Sequence, residues 1–172
     1  ELMTSVGING LGRIGRLLTR RLFERHDARA ALRLTMCNEV ADAATVAHLL
    51  KYDSTHGRFA QPVLMDGDHL NIVDQTVLLT HETAQSKIQR SDRDVNIVID
   101  CTGVEFNRSS AAQHLGGSVS RVMLSQPAST DVDGTIIWGL NDSTLTPDMS
   151  VISAGSCTSN ALMPVLSVID TA

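Results

Sequence analysis

Six residues, Gly10-Leu11-Gly12-Arg13-Ile14-Gly15, read G-x-G-x-x-G, and their surroundings leave few folds open. Upstream, Val6 to Asn9 is short and β-branched, as a strand should be. Downstream, Ile14, Leu17, Leu18 and Leu22 recur at i, i+3, i+4 and i+8, one stripe of a helix over 13–25. A glycine run between a strand and a helix is the context that a dinucleotide-binding turn requires. The first glycine permits a tight turn, the second lets backbone approach a pyrophosphate, and the third lets helix and strand pack closely. The helix start then offers N–H groups and positive charge to the phosphates. A purely structural turn is the competing reading, and the flanking elements favour cofactor binding. Asn9, Gly10, Gly12 and Gly15 are therefore candidate cofactor residues.

The alternation continues. Leu32 to Cys37 predicts a second strand; Asp42 predicts an N-cap, with Ala43, Val46, Ala47 and Leu50 on one helix face. Val63-Leu64-Met65 and 69–73 flank Asp66-Gly67-Asp68, a hairpin signal, and 77–80 adds a short strand. The apolar run within 96–101 suits a strand buried on both faces. A helix over 109–115 should stop at Gly116-Gly117, strands are expected at 121–125, 135–138 and 151–153, and a last helix at 158–169. The fold class predicted is α/β: a Rossmann-type, mostly parallel, doubly wound sheet with a small β-hairpin insertion.

Glu39 ends the second strand, 24 residues beyond Gly15. A carboxylate there can accept hydrogen bonds from both ribose hydroxyls of an adenosine and would repel a 2′-phosphate, so NAD is favoured over NADP. A solvated strand-end acid is the bland alternative. Cys157 stands between a strand and a helix, where Ser156 or Thr158 can cap. A helix N-terminus favours a thiolate, although a cysteine in such a turn, taken by itself, is more often structural. Cys37 and Cys101 end apolar strands and read as core. An odd cysteine count without close pairs disfavours a disulfide scaffold.

Half of all Lys and Arg fall at Arg13, Arg16, Arg20, Arg21, Arg25, Arg29 and Arg33. A nucleic-acid stripe is one reading. A solvated helix face fits better, because the segment lacks interleaved aromatics and the chain carries a net charge of −5. No apolar run approaches a membrane span, and 1–5 shows no secretory pattern.

Three segments together give the chain a resemblance to the glyceraldehyde-3-phosphate dehydrogenase superfamily: Val6-Gly7-Ile8-Asn9-Gly10-Leu11-Gly12-Arg13-Ile14-Gly15-Arg16, Leu50-Lys51-Tyr52-Asp53-Ser54-Thr55-His56-Gly57-Arg58-Phe59, and Ser156-Cys157-Thr158. Within it, Asn38-Glu39-Val40-Ala41-Asp42, Asp100-Cys101-Thr102-Gly103-Val104 and Ser125-Gln126-Pro127-Ala128-Ser129 are most similar to the branch that oxidises erythrose 4-phosphate. The resemblance implies an NAD-dependent oxidation of erythrose 4-phosphate to 4-phosphoerythronate, a step toward pyridoxal phosphate. It implies Cys157 as nucleophile, Arg13 and Ile14 at the pyrophosphate, and Thr102, Gly103 and Ser125 along the cofactor groove. Ser156 and Thr158 would contact substrate. The same half of a glyceraldehyde-3-phosphate enzyme, or a non-catalytic NAD-binding module, are the alternatives.

Departures accompany the match. Thr83 stands where the family often has an arginine beside the adenine; a main-chain contact would survive the change. Glu105-Phe106 moves an aromatic by one place, Ala154-Gly155 replaces Asn-Ala and should loosen the nucleophile turn, and Ala161 replaces a second cysteine. Family chains are about twice as long, and none of the six histidines has the context of the family's catalytic base. The expectation is an NAD-binding domain over 1–155, then the nucleophile turn and first catalytic-domain helix over 156–172. The chain alone should be inactive. It should be cytoplasmic, act on a small-molecule aldose phosphate, and bind no metal, nucleic acid or membrane. The full-length protein should be a homotetramer and this chain alone should not.

Overall fold

The computed structural model describes residues 3–88, 94–104 and 107–170. The Glu105-Phe106 departure and residues 1–2 and 171–172 lie outside them. In chain order the elements are β1 (Thr4–Asn9), α1 (Arg13–Glu24), α2 (His26–Ala31), β2 (Leu32–Asn38), α3 (Ala43–Lys51), β3 (Tyr52–Asp53), β4 (Gly57–Arg58), β5 (Val63–Asp66), β6 (His69–Ile72) and β7 (Gln75–Thr80). Then follow β8 (Ile97–Asp100), α4 (Arg108–Ala111), β9 (Arg121–Leu124), β10 (Gly134–Thr135), β11 (Val151–Ser153) and α5 (Cys157–Asp170).

Nine strands form one sheet in the order β10-β11-β9-β8-β1-β2-β7-β6-β5. All pairings are parallel except β6 with β7 and β5 with β6. The chain moves from β1 to β2 on one side and later to β8 on the other, so strand order reverses beside β1. Ligands of open α/β sheets bind at that reversal, outside the carboxyl ends of the strands. The predicted hairpin is there, with Asp66 opposite His69 across a two-residue turn. β7 joins it to β2, so the inserted hairpin extends the main sheet.

Alternation sorts the strand residues to two faces. Ile8, Cys37 and Ile99 join the larger apolar cluster with Leu22 and Phe23 of α1 and Val46 and Leu50 of α3. Met36 and Val98 face the other way, with Val95, Val119 and Leu115. In β2, Leu34 and Met36 have the same parity yet lie in different clusters. A bulge accounts for it: Val6 pairs Leu34 but Gly7 pairs Met36, so Thr35 is an extra residue that resets the alternation. Gly7 makes a tight fit opposite Met36: a Cβ there would sit 2.9 Å from the Met36 methyl and 3.1 Å from Val95 Cγ1.

Four expectations require correction. The stripe on α1 is rotated: Ile14 is 54% exposed, and Gly15, Thr19, Leu22 and Phe23 face inward. Gly15 has to abut the turn at Gly10, and that sets the rotation of the helix. Arg20 is not on a solvated face; it is buried, its Nε donating to Leu50 O at 2.8 Å and its Nη1 to Gly57 O at 3.1 Å, with its guanidinium over the Phe59 ring. It thereby ties α1 to the end of α3 and to the small β3–β4 hairpin, which the sequence reading did not anticipate. The strand expected over 135–138 stops at Thr135. Asn141 captures the chain instead, accepting from Ile137 N at 2.7 Å and donating to Thr135 O at 2.9 Å, and Trp138 is left exposed. The helix over 109–115 is one α turn, capped by Asn107, followed by a 3-10 turn at Ala112–His114. Among the described residues, no helix is long and apolar enough to cross a membrane.

Candidate functional site

A cleft of about 430 Å³ opens at the carboxyl ends of β1, β2 and β8. Its floor is the glycine turn, and each glycine of the motif meets a different constraint. Gly10 has φ +88°, and a Cβ on it would lie 2.9 Å from backbone of Cys101 and Thr102. A Cβ on Gly15 would lie 2.0 Å from Gly10 O, so α1 touches the turn with no room for a side chain. At Gly12 nothing lies within 4 Å: the position is open to the cleft. That is the arrangement a pyrophosphate needs, with backbone exposed at the second glycine. No side chain caps α1 and no acid stands in its first turn, which leaves this N-terminus to an anion.

Asn9, Gly10, Gly12, Glu39, Thr83 and Thr102 all line the cleft. Arg13 and Ile14 are exposed at the start of α1, next to Gly12. Gly103 (φ +73°) is exposed beyond Thr102, outside the lining. Ser125 follows β9 directly, half-buried and outside the lining, its N–H donating to Asp100 O at 2.9 Å. Glu39 is more than a strand-end acid: its Oε2 accepts from Leu11 N at 2.8 Å and its Oε1 from Ala41 N at 3.3 Å. The carboxylate therefore braces the glycine turn from the side where it also faces the cleft.

The sequence reading named Asn9 but missed Asn38 and Asp100, its partners beneath that floor. Asn38, Asn9 and Asp100 are buried, each closing its own strand, and hydrogen-bond in series. The signal was present: a polar residue ends each of three apolar strands. Burial alone would raise the Asp100 pKa, but hydrogen bonds from His114, Thr102 and Asn9 outweigh it and hold the carboxyl below its ordinary value.

Farther along the same sheet edge, β11 leads into the turn before α5. Cys157 is the first residue of α5 and is exposed. Ser156 caps the helix, its Oγ accepting from Ser159 N at 2.9 Å. Thr158 is exposed beside it. The turn is not loosened by Ala154-Gly155. Ala154 N donates to Leu124 O at 2.8 Å, Gly155 N to Ser153 Oγ at 3.0 Å, and Asn160 Nδ2 to Ala154 O at 2.8 Å. Gly155 adopts φ +71° against Ile137, a conformation suited to glycine. The other two thiols are buried; desolvation pushes Cys37 up to about 12 and Cys101 up to about 11.

A parallel sheet with its cleft at the strand-order reversal, floored by a glycine turn that opens a helix, defines a dinucleotide-binding domain of the Rossmann type. A family model described as glyceraldehyde 3-phosphate dehydrogenase, NAD binding domain, matches residues 4–108. The chain belongs to this family, and its cofactor is NAD. The matched span contains every residue lining the cleft and ends before β9.

Proposed function

We propose that the chain is the NAD-binding half of an aldose-phosphate dehydrogenase that oxidises erythrose 4-phosphate to 4-phosphoerythronate, with Cys157 as the nucleophile. The observation that carries this reading is the placement of Cys157. It is exposed at the first turn of α5, on the same carboxyl edge of the parallel sheet as the NAD cleft. The sulfur attacks the aldehyde carbon to form a thiohemiacetal, which loses a hydride and a proton to become a thioester. Bound NAD supplies the hydride acceptor. Water then releases the acid and regenerates the thiol. Ser156 and Thr158 flank the sulfur and are read as substrate contacts. The cofactor domain is read as 1–155, and 156–172 as the start of the catalytic part.

The choice of erythrose 4-phosphate rests on Glu39 and on the segments 100–104 and 125–129. The second reading, a glyceraldehyde-3-phosphate enzyme, is favoured by the family match itself. NAD reduction by the full gene product, with each aldehyde and with or without inorganic phosphate, separates them. Turnover of erythrose 4-phosphate without phosphate, abolished by Cys157→Ala, is expected. Preference for glyceraldehyde 3-phosphate with an absolute need for phosphate would reject the substrate assignment. The assembly is read as a homotetramer in full length and not in this chain alone, which light scattering on each would check.

A further inference from the structure

We propose that Asp100 is a positioning residue for NAD, its negative charge setting the direction of a buried hydrogen-bond chain that holds both walls of the cleft. Four adjacent parallel strands, β7, β2, β1 and β8, end in one register row: Thr80 opposite Asn38, Asn38 opposite Asn9, Asn9 opposite Asp100. Residues opposite one another project from the same face. The row is therefore a polar line crossing beneath the glycine turn, where apolar packing is the rule on either side.

A carboxylate only accepts, and that property fixes the rest. Asp100 takes four donors: Asn9 Nδ2 at 2.7 Å and His114 Nε2 at 3.2 Å on one oxygen, Thr102 N at 3.0 Å and Thr102 Oγ1 at 2.7 Å on the other. Asn9 must turn its amide nitrogen toward Asp100, so its oxygen faces Asn38 and accepts from Asn38 Nδ2 at 2.9 Å. Asn38 then has its own oxygen free for Glu82 N at 2.9 Å and Thr80 Oγ1 at 2.7 Å, while its nitrogen also donates to Glu82 O at 2.9 Å. The chain thus runs from Thr102, on one wall, to Glu82, on the other, and both residues line the cleft. Asn9 and Asn38, between them, line it too. Asp100 itself is fully buried and outside the lining, so it acts on the cofactor through these neighbours.

The test compares Asp100→Asn with the exchange Asn9→Asp/Asp100→Asn in the full chain, with NAD affinity by calorimetry as the readout and circular dichroism as the fold control. In the single variant an amide replaces the carboxylate, and the two donors that share one oxygen, Asn9 Nδ2 and His114 Nε2, meet another donor. In the exchange, the carboxylate at 9 accepts from Asn38 and from the new amide, whose oxygen still accepts both Thr102 donors. Only the His114 contact then meets a donor. The single variant should bind NAD at least tenfold more weakly, and the exchange should recover most of that loss. A folded Asp100→Asn chain that binds NAD like the parent would overturn the proposal, as would a folded exchange no better than the single variant. If the single variant does not fold, a folded exchange that binds NAD supports the proposal. Failure of both to fold would make Asp100 a structural residue only.

Discussion

Replacing Gly15 and Gly12 by alanine, one at a time, separates packing from ligand approach within a single motif. A Cβ at position 15 would lie 2.0 Å from Gly10 O, 3.0 Å from Gly10 C and 3.4 Å from Ile8 Cγ2. The atoms struck first are backbone of the turn, so relief requires α1 to move away from β1 by about 1 Å or more. Overpacking of this kind costs about 1–3 kcal/mol, and the rigidity of the backbone places this case at the top of that range. Alanine returns about 0.8–1 kcal/mol through helix propensity. The net loss is therefore about 2 kcal/mol. For a chain of this size that is a fall in Tm of about 4–8 °C. At position 12 nothing lies within 4 Å and φ is −63°, so alanine fits the unliganded chain and Tm should stay within about 1–2 °C. There the methyl enters the space that backbone leaves to the pyrophosphate, and NAD affinity should fall at least tenfold. Thermal denaturation followed by circular dichroism and calorimetric titration with NAD give both quantities. A Gly15→Ala chain as stable as the parent would refute the close approach of α1 to the turn. A Gly12→Ala chain that binds NAD normally would remove the pyrophosphate from this floor.

Glu39→Ala should narrow the preference for NAD over NADP and lower Tm by about 2–4 °C, because the lost hydrogen bond from Leu11 N is worth about 1 kcal/mol; tighter NADP than NAD binding by the unmutated chain would sink the ribose assignment. Brief alkylation with iodoacetamide should label Cys157 first, since burial pushes Cys37 up to about 12 and Cys101 up to about 11; peptide mapping that finds either of those ahead of Cys157 would contradict it. Asp133 accepts from Val151 N and Ser150 N and pairs with Arg108, which holds its carboxyl down at about 2 in the folded chain, below its ordinary 3.8. A depressed folded pKa contributes stability that is complete above the ordinary value and is lost as pH falls toward about 2. The Tm gap between the parent and Asp133→Asn should therefore be widest near neutral pH and shrink steadily over that interval; a gap that does not change with pH would remove Asp133 from the acid response.

Local backbone geometry is written in neighbouring residues, and there the sequence was a reliable guide. The turn at Gly10–Gly15, the cap at Asp42, the tight hairpin turn at Gly67-Asp68 and the alternation of strands and helices each depend on residues a few positions apart. The core readings of Cys37 and Cys101 belong here too, because both lie in apolar runs, as does the position of Cys157 after a serine cap. What escaped the sequence was lateral. Asn9 meets Asn38 at a separation of 29 residues and Asp100 at 91, and no local pattern states that these strand ends are neighbours. Arg20 looked like one of seven arginines on a wet surface until Leu50 and Gly57 supplied the carbonyls that hold it inside. The rotation that leaves Ile14 exposed follows from a single contact, Gly15 against Gly10. Hydrophobic period reports that a helix has an apolar side, but which residue faces the sheet is decided by the closest approach of helix and turn backbones, a geometry that the apolar pattern does not state.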